Sequence, residues 1–259
     1  MILDYKGINI FYTDTGKGEV IVLLHGFLED HTMWHDLVVK ISNNNRVVCI
    51  DLLGHGKTGV LGYIHTMEEM ATVVKTVLNH LRLRKYTIIG HSMGGYVALA
   101  FAKLFPNNIK GVCLLNSTYE ADDSERKQIR TRANKMVQTN FESMVRMSFT
   151  NLFSAKSKLE HQEAFEEALQ IALKTSLQGY MAAQEGMKRR EDFSTSFAQT
   201  SYKKAILLGK KDTVINVKNT IKFAKNHNID THIFSEGHMS YIENKTDFIK
   251  EIVHFIEKT

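Results

Sequence analysis

Ile88-Ile89-Gly90-His91-Ser92-Met93-Gly94-Gly95 is the stretch on which the fold turns. Tyr86–Ile89 predicts a strand, and Met93–Phe105 predicts a helix rich in small apolar residues that Pro106 ends. Between them stands a G-x-S-x-G pattern, so a strand must reverse into a helix within about four residues. A turn that tight forces its serine into a strained backbone conformation. Gly90 and Gly94 leave room where a Cβ would clash. The Ser92 hydroxyl then stands clear above the sheet edge, and the first N–H groups of the helix favour negative charge at the same spot. In this strand–turn–helix context Ser92 is a candidate nucleophile.

The flanking sequence repeats the same rhythm. Met1–Tyr5 and Ile8–Thr13 predict a strand pair around Lys6-Gly7. Val20–Leu24, Arg46–Ile50 and Ile109–Leu115 are continuous apolar runs, as strands buried on both faces require. Met33–Ile41 has helical spacing, and Thr66, with Glu69 three residues on, predicts an N-cap for a helix from Met67 to about Arg82. Strands alternating with helices predict a doubly wound, mostly parallel α/β sheet. From Ser117 to Lys203 the strand signal lapses. Glu125–Val137, Phe141–Phe153 and Leu159–Leu177 repeat at helical spacing instead, which predicts a helical insertion. The sheet then resumes with strands at Ala205–Leu208 and Thr231–Phe234 and helices at Asn216–His227 and Ser240–Glu257. The expected division is a core of residues 1–116 and 204–259 and a helical cap of residues 117–203.

Composition narrows the function class. A chain of 259 residues, 43% hydrophobic and 24% charged, suits one globular enzyme domain with an insertion. The apolar runs are too short to span a bilayer, and Met1–Ile10 lacks the pattern of a signal peptide. The net charge of +5 is scattered rather than gathered in a stripe with aromatics, which argues against nucleic acid as a partner. Cys49 and Cys113 sit in apolar strands without CxxC spacing and read as buried thiols in a reducing, cytoplasmic setting. No cofactor or metal is expected. His31 and His35 have i, i+4 spacing, but no third ligand is evident. The expected partner is a small-molecule substrate, with no membrane insertion, and the protein is expected to be a monomer or homodimer.

A serine hydroxyl needs a base, and the base needs an acid. Of twelve histidines, His238 follows the last strand and precedes the final helix. That places it at the carboxyl edge of the sheet, where Ser92 lies. His65, His80, His161, His227 and His254 read as surface residues. Asp212, in the turn after Ala205–Leu208, reaches the same edge; Asp230 and Asp247 are rivals that do not follow a strand end directly. The chain order Ser92, Asp212, His238 matches nucleophile, acid, histidine. Oxyanion donors are expected from the backbone N–H of Met93 and of Phe27, the latter in the His25-Gly26-Phe27-Leu28 turn, where Gly26 permits the bend.

These motifs, with Asp51-Leu52-Leu53-Gly54-His55-Gly56, Gly209-Lys210-Lys211-Asp212 and Gly237-His238, resemble the α/β-hydrolase superfamily over nearly the whole chain. The resemblance is to its small capped esterases and lactonases. It implies a mostly parallel eight-stranded sheet flanked by helices, and hydrolysis of a carboxylic ester, lactone or thioester. It also implies that Asp51 is structural, with His25, Gly26, Gly90 and Gly94 shaping the site. Ser92 argues against the dehalogenase and epoxide-hydrolase branches, which carry aspartate at the elbow. Some members place the acid one strand earlier; here that position reads Asn116-Ser117-Thr118. Phe27-Leu28-Glu29-Asp30 looks like the menaquinone-pathway synthase of this fold, a lyase. That enzyme carries an arginine on the helix after the elbow, where this chain has Tyr96-Val97. A cap arginine such as Arg126, Arg130 or Arg132 aimed at Ser92 would favour the lyase. Perhydrolases share the same triad. A small-molecule receptor on a hydrolase scaffold is the reading from another class. In the cap, Met136, Met144, Met147, Phe149, Leu152 and Phe153 are equally open to lining an acyl pocket or to plain core packing.

Overall fold

A computed structural model describes residues 1–259, the side chain of Ala155 excepted. The strands are β1 (Ile2–Tyr5), β2 (Ile8–Thr15), β3 (Glu19–Leu24), β4 (Asn45–Ile50), β5 (Tyr86–His91), β6 (Ile109–Leu115), β7 (Lys203–Gly209) and β8 (Asp230–Phe234). They form one sheet in the order β1-β2-β4-β3-β5-β6-β7-β8. The pairs β1/β2 and β2/β4 are antiparallel, and every pair from β4/β3 to β7/β8 is parallel. The parallel strands therefore end at one edge, which is where open α/β sheets hold their ligands.

The helices between β3 and β6 are α1 (His35–Ile41), α2 (Met67–His80) and α3 (Met93–Leu104). Between β6 and β7 run α4 (Ser124–Met136), α5 (Phe141–Thr150), α6 (Ala155–Glu160), α7 (Gln162–Leu173), α8 (Leu177–Arg189) and α9 (Ser194–Gln199). The chain closes with α10 (Val217–Asn226), α11 (Ser240–Glu243) and α12 (Lys245–Glu257). Thr66 caps α2 by accepting the Glu69 N–H at 3.1 Å.

Strand alternation splits the core into two layers, because successive side chains point to opposite faces. Val22, Leu24, Val48, Ile50, Ile88, Val112, Leu114, Ile206 and Leu208 pack against α2 and α3. Ile21, Leu23, Val47, Cys49, Ile89, Cys113, Leu115, Ala205 and Leu207 pack against α1 and α12. The continuous apolar runs exist because both faces are covered. Both cysteines are free and buried in the second layer, and burial pushes the Cys49 thiol up to about 12.

A third apolar cluster joins α5, α7 and α8 to Leu28 and Met239 on the sheet's carboxyl-edge loops. Met144, Phe149 and Phe153 are buried there, whereas Met136 and Met147 are 50% and 51% exposed. Two predicted helices are each interrupted. The Leu159–Leu177 stretch is split at His161 between α6 and α7, and the last helix breaks at Asn244. At both breaks the residue leaves helical geometry, with ψ of +38° and +35°.

Candidate active site

Ser92 sits at the junction of β5 and α3 with φ 48° and ψ −114°. An L residue with positive φ is strained and persists only where its neighbours over-determine it. Ser92 N–H donates to the Leu115 carbonyl at 2.9 Å, and its own carbonyl accepts from Gly95 N–H at 3.0 Å and from the Ser117 hydroxyl at 2.7 Å. The flanking glycines are steric necessities. A Cβ on Gly90 would lie 2.3 Å from the Gly94 carbonyl oxygen, and one on Gly94 would lie 2.2 Å from that of Leu24.

His238, 1% exposed, brings Nε2 to 2.9 Å from Ser92 Oγ and Nδ1 to 2.7 Å from Asp212 Oδ2. A carboxylate can only accept, so Nδ1 carries a proton and Nε2 keeps the lone pair that faces the serine hydroxyl. The Asp212 carboxylate is fully engaged. Oδ2 also accepts from the Asn116 amide at 3.0 Å, and Oδ1 accepts from Val214 and Ile215 N–H at 2.8 and 3.1 Å. Burial alone would raise its pKa. The His238 ring, with the Asn116 amide and the Val214 N–H, outweighs burial and holds the carboxyl below its ordinary range.

Phe27 lies in the turn after β3, followed by Leu28 at φ 65°. Among the described residues no backbone carbonyl takes the Phe27 N–H. Met93 opens α3, where first-turn N–H groups have no partner within the helix. The Phe27 ring meets Tyr180 of α8 edge-on at 4.9 Å and His55 at 5.6 Å. His25 is locked as its neutral Nδ1–H form: Nδ1 faces the Gly26 carbonyl at 2.7 Å, and Nε2 accepts the Leu52 N–H at 2.9 Å. Asp51 is bound by His31 and by the Lys57 N–H, which makes it a scaffold for the neighbouring turn.

One placement departs from expectation. His65 is fully buried, not on the surface: it packs beside α8, donates its N–H to the Ala182 carbonyl and accepts the Leu61 N–H on Nε2 at 3.1 Å. Burial lowers its pKa to about 4 and that of His55 to about 3. Among the described residues none of the three arginines considered for a lyase hydrogen-bonds to Ser92. Arg126 donates to the Val214 carbonyl, Arg130 pairs with Asp122 and Gln184, and Arg132 is exposed. The rival aspartates are spoken for elsewhere, Asp230 by Lys203 and Asp247 by His232.

Asn116, Glu29 and His91 belong to this edge although the sequence gives their side chains no role. Asn116, at φ 44°, aims its amide at Asp212 and at the Gly237 carbonyl. Glu29 accepts from the Gly26 N–H and meets His91, which in turn reaches the His238 carbonyl. A cleft of about 870 Å³ is lined by Leu28, Glu29, Tyr241 and residues of α7. Among the described residues one group, His232, Asp247 and Glu251, brings metal-ligating atoms within 4.8 Å of one another. It sits on β8 and α12, away from Ser92.

The sequence model of the alpha/beta hydrolase fold family matches residues 19–245. A thermophilic esterase from Thermogutta terrifontis is 28% identical and superposes with a TM-score of 0.91, covering 99% of this chain and 96% of that one. The enol-lactonase from Burkholderia xenovorans LB400 superposes equally well, TM-score 0.91, at 21% identity over 99% of this chain and 100% of that one, a likeness of fold. An uncharacterized protein of Mycobacterium tuberculosis is 32% identical over 102 residues, 39% of this chain and 30% of its own length. The chain thus spans less than a third of the length of the curated relatives it matches in this way. No helix is long and apolar enough to cross a membrane among the described residues. The eight-stranded, mostly parallel sheet turns from β5 into α3 at a strained serine, and the family match runs from β3 through β8 to the start of α12: the chain belongs to the α/β-hydrolase fold family.

Proposed function

We propose that the protein is a serine hydrolase that cleaves a carboxylic ester, lactone or thioester of a small substrate through an acyl-enzyme. One observation carries this reading: the unbroken line from Ser92 Oγ to His238 Nε2, 2.9 Å, and from His238 Nδ1 to Asp212, 2.7 Å. His238 takes the Ser92 proton as the oxygen attacks the carbonyl carbon. Asp212 stabilises the imidazolium. The N–H groups of Phe27 and Met93 receive the oxyanion. The leaving alcohol departs with the proton from His238, and water repeats the sequence in reverse to free the acid. Residues 1–116 and 204–259 act as the catalytic core, and residues 117–203 cap it and select the substrate. The esterase and enol-lactonase neighbours agree with this class of reaction. The engagement of Arg126 and Arg130 with other partners counts against the lyase.

A panel of p-nitrophenyl esters and lactones, run on the wild type beside Ser92→Ala, tests the proposal. The variant is expected to lose about 10³- to 10⁶-fold in turnover, and a fluorophosphonate is expected to label the wild type at Ser92 alone. Near-normal esterase activity in Ser92→Ala overturns the assignment. Single-turnover consumption of every ester favours a receptor.

A further inference from the structure

Three loops must hold register for this chemistry: the turn after β3 that presents Phe27, the elbow at Ser92, and the turn that carries His238. One buried pair of side chains touches all three. Glu29 and His91 are 3% and 1% exposed at their side chains. Glu29 Oε2 accepts the Gly26 N–H at 2.6 Å, on the residue immediately before Phe27, and meets His91 Nδ1 at 2.8 Å. His91 precedes Ser92, and its Nε2 lies 3.0 Å from the main-chain carbonyl of His238 itself.

A carbonyl oxygen can only accept, so His91 Nε2 carries a proton. One further proton lies between Glu29 Oε2 and His91 Nδ1. Oε2 already accepts the Gly26 N–H, which favours the carboxylate and leaves that proton on Nδ1, making the ring an imidazolium. Two opposite charges removed from water persist when they are paired and hydrogen-bonded. Burial pushes Glu29 toward the neutral acid, but His91 outweighs it and holds the carboxyl low. Burial opposes charge on His91 too, and Glu29 with the His238 carbonyl raises it.

We infer that Glu29 and His91 form a permanent ion pair that positions the oxyanion-forming turn and the His238 loop relative to Ser92, making both of them positioning residues for the reaction. The inference rests on the reading of Ser92, His238 and Asp212 as the reacting groups. Neither side chain needs to touch substrate. Glu29 sets the peptide that precedes the Phe27 N–H, and His91 clamps the peptide that carries the base. A misplacement of about 1 Å among such groups costs on the order of 10²-fold in rate.

Glu29→Gln, His91→Gln and the double variant test this with an ester that the wild type turns over. Each single variant is expected to lose about 10- to 100-fold in kcat with KM within about threefold of wild type. Affinity for a boronic-acid analogue of the tetrahedral intermediate is expected to fall in step. The double variant is expected to lose no more than the worse single one, because one pair is being broken. Folding of each variant is checked by circular dichroism. Independently of any variant, ¹⁵N-histidine NMR of the wild type is expected to find His91 doubly protonated at pH 8. The groups facing it are Glu29, His238, Asp212 and Tyr241. Single variants within twofold of wild type, losses that multiply in the double variant, or a neutral His91 ring at pH 8 each overturn the inference. A wild type inert on every ester would fail the hydrolase reading instead, and the NMR result would still decide the pair.

Discussion

Asp212→Asn isolates the part of the site where a single proton decides the outcome. The substitution keeps size and shape but turns one carboxylate oxygen into an NH₂. The surroundings dictate which one. Val214 and Ile215 N–H both point at Oδ1, so the amide carbonyl must stay there. The new NH₂ then occupies the Oδ2 position, 2.7 Å from His238 Nδ1 and 3.0 Å from the Asn116 amide nitrogen. Asn116 offers no relief by flipping, because its amide also donates to the Gly237 carbonyl and its oxygen accepts from Ser240 at 2.7 Å. Facing a donor, His238 must shift its proton to Nε2, the nitrogen that meets Ser92 Oγ, and can no longer accept the serine proton. The expected loss is about 10⁴-fold in kcat, close to 5.5 kcal/mol of barrier, with KM little changed. Steady-state ester hydrolysis at pH 7.5 measures it, with circular dichroism to confirm the fold. Asp247→Asn, which alters only the contact with His232 on the outer strand, is the control and is expected to stay within twofold. An Asp212→Asn enzyme that keeps more than about a tenth of wild-type kcat would refute both the tautomer argument and the assignment of the acid.

Other expectations follow from the same geometry. His55 and His65, held neutral with values near 3 and 4, take up protons only on unfolding between those values and about 6.5, so stability falls as pH falls. Each withdraws about 2 kcal/mol by pH 5. His91 works in the opposite sense: its contribution is complete below the ordinary imidazole range and is lost as pH rises through its elevated value. Urea unfolding at pH 7 and 5 should therefore show a fall that His55→Gln reduces by about 2 kcal/mol, and an unchanged slope in that variant argues against a neutral His55. Gly94→Ala drives a methyl carbon to 2.2 Å from the Leu24 carbonyl oxygen; the expected cost is about 3 kcal/mol, or roughly 6 to 12 °C in Tm by calorimetry. Thr66→Ala removes the cap of α2 and should cost about 1 kcal/mol in the same assay. Neither thiol should react with Ellman's reagent until the protein is unfolded, since both are buried and Cys49 is pushed up to about 12.

What the chain discloses before folding is whatever local physics decides. The parallel strands were legible because burial on both faces demands an unbroken apolar run, and Val20–Leu24 and Val112–Leu115 are too short for a helix and largely branched. The elbow was legible because a strained serine needs glycine on either side of it. Ser92, Asp212 and His238 followed, each lying just past the end of a parallel strand. Helix breaks at His161 and Asn244 were not legible. Neither residue is a strong breaker, and at each the backbone leaves helical geometry against the local periodicity. His65 misled for the opposite reason: a polar residue in a loop reads as exposed until α8 is known to cover it. The buried pair shows the same limit at closer range. Glu29 is a buried acid in the turn after β3, and His91 is a polar residue at the end of a fully buried strand; each is anomalous where it stands. An ionisable group inside an apolar strand implies a partner of opposite charge, because burial without one is too costly. That partner lies 62 residues away in sequence, and only the sheet order, which sets β3 directly beside β5, brings the two anomalies together as one feature.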